Sequence, residues 1–479
     1  MIKKSFYMLI ALLLVAQPVL ADPENVYSDL TAEEIAVLTD PDLSAEEITE
    51  LKKKWKCKYC PDASEEPWYL QIDTGLGYVS NDSYQFGQYN GLNKKGAFLV
   101  LNFDTQYRDG SGDYFKARGD RLGLDNRSLE MEGGRQGTYK IKLLYDQIYK
   151  YDEDTGRTPY SGGPIQSLPS GWVSAPDTSG FLTINESLRN ADLYTQRKNF
   201  QLGATYNQSS RISYDLNFDR QAKEGRQSFG AAIGSNFAQA RSAILAAPVD
   251  YVTDQVGLAA NYKGNDFSGR LAVTNSSFRN ANESLRWQNA YTEPAGPPPV
   301  TEGQAATDPD NDMQQAMLTV NYHGVDKLNL AGYFSYARMT QDQDFLPYTT
   351  NSALVTTPLP QTSLNGEIIA NTATLKANWL FLPRTRLNVL YDYQEQVNNT
   401  KSNQYDYVIA DTLLSPTSRI NPAYSFRNQR FKLDVGHRFA NKIKLEGGAK
   451  YATMDRTFQA VEKQKETGLW AAIGNSISA

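Results

Sequence analysis

The sequence predicts an all-β fold, a transmembrane antiparallel β-barrel of roughly sixteen strands, and three observations predict it. The first is a period of two held over roughly ten residues at a time, the length a tilted strand needs to cross a bilayer's hydrocarbon layer. The clearest case runs from Asn371 to Gln394. Ala373, Leu375, Ala377, Trp379 and Phe381 share one parity, and Thr372, Thr374, Lys376 and Asn378 the other. After Leu382-Pro383-Arg384-Thr385, Leu387, Val389, Tyr391 and Tyr393 alternate with Arg386, Asn388, Asp392 and Gln394. The second observation is repetition with unequal connections. A two-armed unit that begins near Phe200 starts again near Gln255, Gln315, Asn371 and Gln429, a spacing of about 56 to 60 residues. Within each unit the arms are joined by a few residues (Gln208-Ser209-Ser210, Gly264-Asn265-Asp266, Gly324-Val325-Asp326, Pro383-Arg384, Asn441-Lys442). Between units the connections run to about thirty residues, rich in Pro, Gly, Asn, Gln and Asp. The third is aromatic: Tyr206, Tyr262, Tyr322, Phe381 and Phe439 are the apolar-parity residues just before each short turn. Such a row is expected of an aromatic girdle at one membrane interface. A soluble antiparallel sheet alternates in the same way, but it has no need of arms of bilayer length in five successive units.

From the beginning of the chain, residues 1–21 read as a secretory signal peptide. Lys3 and Lys4 precede an apolar core from Phe6 to Ala16 and a Val19-Leu20-Ala21 cleavage pattern. Its removal takes the formal charge from −6 to −8, since it carries two lysines and no acid. No later run reaches the length of a transmembrane helix. The mean hydropathy is negative, as it is for a barrel that shows lipid only every second residue. Nothing in the composition argues for a nucleic-acid partner, and 30 tyrosines against 2 cysteines suit an exported β protein.

Residues 22–66 form a separate, acidic segment. Thr31 with Glu34 and Ser44 with Glu47 fit capping boxes, so two short helices are expected. The second puts Ile48, Leu51 and Trp55 on one face before the basic cluster Lys52-Lys53-Lys54-Trp55-Lys56-Cys57-Lys58. The segment is expected to stay in the periplasm or fold into the barrel mouth, a solvated tail being the plainer alternative. It holds the only cysteines, Cys57 and Cys60, as Cys57-Lys58-Tyr59-Cys60. Haem attachment needs a histidine next, and Pro61 stands there. A zinc site has no third or fourth ligand nearby. The flanking lysines favour the thiolate, which suits a reversible disulfide, and a plain structural clip fits the spacing equally well.

The barrel is expected over residues 67–479, opening with Trp68, Leu70, Ile72, Leu76 and Tyr78 on one parity, then Tyr139, Ile141, Leu143 and Tyr145. This region also carries the most distinctive text: Tyr84-Gln85-Phe86-Gly87-Gln88-Tyr89-Asn90-Gly91-Leu92, then Arg121-Leu122-Gly123-Leu124-Asp125-Asn126-Arg127, then Gly133-Gly134-Arg135-Gln136-Gly137-Thr138-Tyr139-Lys140. With the N-terminal CxxC, these resemble the MtrB/PioB family of decahaem-cytochrome-associated outer-membrane barrels, specifically over about residues 45–150. The resemblance implies a wide barrel that sheathes a periplasmic multihaem c-type cytochrome and lets it cross the outer membrane. It also implies a cell-surface multihaem cytochrome or mineral beyond it, electrons passing outward or inward, and no cofactor in the barrel itself, the haem being carried by the partner. With His323 and His437 the only histidines, the residues agree that this chain cannot ligate a series of haems. The family barrel needs more than sixteen strands, and the chain ends at Trp470-Ala471-Ala472-Ile473-Gly474-Asn475-Ser476-Ile477-Ser478-Ala479, inside an apparent strand. It is therefore expected to be a C-terminally truncated member. A complete sixteen-strand barrel would instead be porin-sized.

No catalytic constellation stands out, and the chain is not expected to be an enzyme. The residues expected to face the lumen are Asp215, Arg270, Lys376, Arg386, Asp392, Lys444 and Glu446. They would meet a protein partner or, in a general or substrate-selective porin, tune solute passage. Lipid of the outer membrane is the expected partner on the apolar parity. Asp308-Pro309-Asp310-Asn311-Asp312 and Asp152-Glu153-Asp154 read as solvated acidic loops, since an EF-hand needs glycine where Met313 stands. The stretch from Pro297-Pro298-Pro299 to Asp312 reads as a mobile external loop.

Overall fold

The computed structural model describes residues 68–475 apart from 154, 237–238, 293–299 and 441–442. The signal peptide, the expected N-terminal helices and the Cys57/Cys60 pair lie outside the described residues. The described residues belong to one unit, Glu66–Ala479.

Alternation becomes structure directly. Sixteen strands form one antiparallel sheet in strict chain order, each hydrogen-bonded to its sequence neighbours. The first five are β1 (Trp68–Val79), β2 (Gly96–Arg108), β3 (Asp113–Asp120), β4 (Arg127–Arg135) and β5 (Tyr139–Glu153). Four follow from the expected repeats: β6 (Leu193–Asn207), β7 (Ile212–Asn236), β8 (Gln239–Lys263) and β9 (Phe267–Asn280). Then come β10 (Asn311–Val325), β11 (Leu328–Gln341), β12 (Gly366–Leu382) and β13 (Thr385–Asn398). The last are β14 (Phe426–Arg438), β15 (Ile443–Arg456) and β16 (Lys463–Asn475). Among the described residues no ladder joins β1 to β16, so these two strands are the ends of the sheet. Among the described residues no helix is long and apolar enough to cross a membrane. The strands supply the crossing.

Register keeps the parities aligned from strand to strand. Asn378 faces Asn388, which faces Asp434, and Thr374 faces Asp392, which faces Arg430. A one-residue slip at any ladder would swap the two faces, so the hydrophobic pattern itself holds the register. The β12–β13 turn is Pro383–Arg384, with Arg384 at φ 66°, and the β10–β11 turn is Asp326–Lys327, with Lys327 at φ 59°. The second turn thus sits slightly later than Gly324-Val325-Asp326, because Val325 still pairs with Leu328.

Two expectations fail on the loop side. The connection expected after Asp219 is a hairpin: β7 and β8 run on for 25 residues each, paired almost to their tip. The apolar residues of this extension, Phe229, Ala231, Ile233, Ala243, Leu245, Ala247 and Val249, alternate at period two, but Gly, Ser, Gln and Ala between them give it a loop-like composition. Nor is the segment before Asp312 a mobile loop throughout. Val300 is 3 % exposed, and Glu302–Ala306 is a strand.

That strand belongs to a loop cap, which holds the main hydrophobic core of the described chain. Glu302–Ala306, Ser284–Gln288, Ile165–Ser167 and Ser161–Gly162 form a four-stranded sheet in that spatial order. Tyr160, Phe181, Leu285, Trp287 and Val300 from two loops pack with Ile233 and Leu245 from the β7–β8 extension. The rings of Trp172 and Phe181 lie 4.8 Å apart, and Phe181 and Tyr291 5.0 Å. A sheet that shows one face to lipid and one to a lumen has little interior of its own, so burial concentrates where the loops meet.

Candidate functional site

Ladder register puts the polar parity of every strand on one face, and the charges there fall into two sectors. The first spans β2 to β5. Asp104 lies opposite Arg118, Arg118 opposite Glu130, Lys116 opposite Glu132, and Glu132 opposite Lys142. Within it Lys142 reaches Glu130 at 2.5 Å, and the Tyr114 hydroxyl donates to Glu132 at 3.1 Å. The second spans β13 to β16, where Arg430 binds Asp392, Lys432 pairs with Asp434 at 2.8 Å, Lys444 with Glu446 at 2.5 Å and Lys450 with Glu466 at 2.8 Å. Trp470 lies on this face too, donating Nε1–H to Asp434 at 3.1 Å. Only glycine fits beneath it: a Cβ on Gly448 would stand 2.4 Å from that indole nitrogen. Between the sectors, β8 to β12 present mainly uncharged residues, among them Gln255, Thr274, Gln315, Ser335 and Thr372.

The structure treats the sequence-predicted lumen residues unequally. Asp215 and Arg270 meet at 2.5 Å, with Asn261 and Thr205 hydrogen-bonded to the same carboxylate. Lys444 and Glu446 meet each other, and Asp392 meets Arg430. Lys376 and Arg386 share the face but form no ion pair among the described residues; Lys376 lies opposite Ala331 and Leu390, and Arg386 opposite Gly436. Sequence reading passes over Lys142, Glu130, Arg430, Lys432 and Asp434, although the same parity count marks all of them. Arg430 and Lys142 keep half or nearly half of their side-chain surface exposed. Pairs this open contribute about 0–1 kcal/mol each to stability. Their effect is a patterned field over the face.

The opposite parity is apolar through its middle: Leu258 is 53 % exposed, Leu271 55 % and Leu375 57 %. In water that would be a large uncovered patch. On β10 the run from Tyr322 to Asp312, and on β11 the run from Leu328 to Arg338, each cover ten steps of strand. At about 3.4 Å per residue and a tilt of about 40°, that is about 25 Å, the height of an outer-membrane apolar band. Tyr206, Tyr262, Tyr322, Phe381 and Phe439 all lie exposed at its turn end. The histidines are there also. His323 Nε2 lies 2.6 Å from the Asn265 carbonyl, and His437 Nδ1 lies 2.7 Å from Thr385 Oγ1 with its ring edge-on to Phe439. Neither has a carboxylate and a nucleophile arranged around it, and no metal-ligating cluster occurs among the described residues. Asp310 and Asp312 of the acidic loop face Arg279 rather than each other.

The cap packs on the inner side of its hairpin. Ala231, Ile233, Ala243 and Leu245 carry the same parity as Asp219 and Lys223, the polar-face parity, so the loop core lies towards the sheet's polar face. Asp411 ties further loops to it. Its carboxylate accepts from Thr349 Oγ1 at 2.6 Å, its carbonyl accepts from Asn351 Nδ2 at 2.9 Å, and Gly234 N–H donates to Ala410 O at 2.8 Å. Burial raises the Asp411 carboxyl above its usual range, against the hydrogen bond from Thr349 and backbone N–H groups of Thr350 and Gln304, which lower it. Burial likewise raises the Tyr160 hydroxyl, which donates to Gln288 O at 3.0 Å.

Residues 78–479 match the family model described as a putative outer membrane beta-barrel porin, MtrB/PioB. The chain is similar to "Outer membrane protein MtrB" of Shewanella baltica (strain OS185), 29% identical over 424 residues, 87% of this chain and 58% of that protein. It thus spans little more than half the length of that relative. Among solved structures it resembles a loop-deletion mutant of the outer membrane protein OmpT of Vibrio cholerae (TM-score 0.29, 11% identical, 85% of this chain and 99% of that one). It also resembles an anion-selective porin from Comamonas acidovorans (TM-score 0.28, 12% identical, 85% and 94%). Likeness at that level says nothing about what passes through any of them.

Proposed function

The chain belongs to the MtrB/PioB family of outer-membrane β-barrel proteins, and from that premise we propose that it is the non-catalytic wall of a transmembrane electron conduit. In this reading the barrel sheathes a periplasmic multihaem c-type cytochrome, which passes electrons to or from a cell-surface cytochrome or mineral. The haem belongs to the partner. Cys57 and Cys60 form a redox-labile or assembly-related pair on the periplasmic side.

The observation that carries the reading is the pair of mixed-sign sectors on the polar face, β2 to β5 and β13 to β16, with β8 to β12 between them mainly uncharged. A folded protein presents charges of both signs, and half-exposed pairs exchange partners at little cost. A pore selective for one sign of ion would instead line its wall with that ion's counter-charge. The loop core on the polar-face parity of the β7–β8 extension favours a second reading, a porin narrowed at its outer mouth. The visible spectrum of the protein purified in mild detergent from its native outer membrane tests both. A c-type haem signal in fixed ratio, assigned by gel to a second polypeptide, supports the conduit. A colourless preparation that conducts ions in a planar bilayer overturns it in favour of the porin.

A further inference from the structure

The apolar parity changes character along its height. At the turn end it carries the aromatic row, through its middle it is apolar, and at the loop end it carries cross-strand ion pairs. Lys198 meets Glu224 at 3.2 Å, Arg220 meets Asp254 at 3.6 Å, and Arg279 meets Asp312 at 3.0 Å. Arg338 meets Glu367 at 2.5 Å, and Arg427 meets Asp455 at 2.9 Å. Register places all ten residues on the parity of Phe218, Leu258, Leu271, Phe334, Leu375 and Phe431. A basic side chain on this face is far costlier at the bilayer midplane than near the interface. The belt therefore marks the level at which the strands leave hydrocarbon on the side of the long loops.

Internal pairing leaves donors unused. Arg338 spends Nε and Nη2 on one carboxylate oxygen of Glu367, and Arg427 spends Nη2 on Asp455. Arg220 approaches Asp254 at 3.6 Å, too far for a hydrogen bond. Arg226, exposed on the same parity opposite Tyr194, has no ion pair or hydrogen bond among the described residues. We propose that this belt is a binding site for the phosphate groups of lipid headgroups in the surrounding leaflet, with Arg220, Arg226, Arg338 and Arg427 as the phosphate donors. A planar guanidinium with a free N–H edge binds a phosphate oxygen pair as a fork. The interleaved carboxylates keep the cations from repelling one another and hold their side chains along the wall. The belt touches nine of the ten strands from β6 to β15, all but β13. A ring of that extent fits an annulus of lipid, whereas a second copy of the chain would cover one side. The proposal holds whatever fills the lumen.

The test reconstitutes the full chain into phosphatidylcholine vesicles containing either phosphorylated lipid A or its dephosphorylated form, and counts glycolipid retained per chain after detergent extraction. The wild type is expected to retain the phosphorylated form about tenfold better, since each basic residue near an anionic surface adds to the attraction and the paired carboxylates reduce it. The R220Q/R226Q/R338Q/R427Q variant is expected to lose that preference. Turn-end R135Q is expected to keep it. If the four-fold variant does not insert, R226Q, which leaves no carboxylate unpaired, is read alone and is expected to lower the preference about twofold. Equal retention of the two lipids by the wild type, an unchanged preference in both belt variants, or an equal loss in R135Q would each overturn the proposal. So would cross-linking of two copies through the belt.

Discussion

Replacing Leu245 by Ala separates the loop cap from the wall. Leu245 is 1 % exposed and packs on the polar-face side of the β7–β8 extension among Ile233, Leu285 and Trp287, donated by different segments. Removing its outer methyls leaves a cavity that ladder-bound strands cannot collapse, for which about 3 kcal/mol is the expected loss. At 1.4 kcal/mol per factor of ten, cap opening should become about a hundredfold more frequent. Below the β7–β8 extension the ladders contribute no residue to this core, so their opening should not change. Amide hydrogen exchange of the protein in detergent reads both at once. Protection should fall about two decades at Leu285–Gln288 and Glu302–Ala306, and stay constant at Val256–Ala260 and Leu387–Tyr391. Equal loss in ladders and cap would show one cooperative unit, and no loss in either would show that the cap is held by its hydrogen bonds instead. Either result refutes the reasoning.

Asp411 gives a pH dependence with a definite sign. Its folded-state carboxyl is raised, so the folded cap binds the proton more tightly than the unfolded chain does. Cap protection should be highest below the ordinary aspartate range, fall as pH rises from there through the raised value, and then level off. Asp411→Asn should flatten that profile and raise protection at neutral pH, the left-handed φ of 59° being tolerable to asparagine; a steeper profile would contradict the burial argument. Leu375→Arg, mid-height on the apolar face, should cost about 2–4 kcal/mol in a denaturant titration of vesicle-folded protein, whereas Lys376→Leu next to it should change stability by less than about 1 kcal/mol. Costs in the opposite order would exchange the two faces. Replacing Cys57 and Cys60 by Ser should lower the yield of assembled complex from the outer membrane while leaving the circular-dichroism strand signal of what assembles unchanged; full yield would remove the pair from assembly.

Local alternation was enough to read the sheet and its two faces. Thr372 to Asn378 and Leu387 to Tyr393 declare their faces because a pleated strand turns successive side chains to opposite sides, with no distant residue needed. The short turns and the aromatic row at Tyr206 and Tyr262 follow from the same count, and the text from Tyr84 to Lys140 carries the family. Parity names a face but not a partner. That Asp392 meets Arg430, 38 residues away, while Lys376 meets no acid among the described residues, depends on register across separate ladders. The belt from Lys198 to Asp455 appears only when five ladders are aligned to the same height. The cap was least legible of all. Tyr160, Leu245 and Trp287 come from three segments with no common period, and nothing in any one of them names the other two until the chain brings them together. Sequence by itself determined what depends on the next few residues, the pleat and the turn. The tertiary structure decided what depends on contact between segments far apart in the chain: ion-pair choice, the level of the membrane boundary, and where the protein keeps its core.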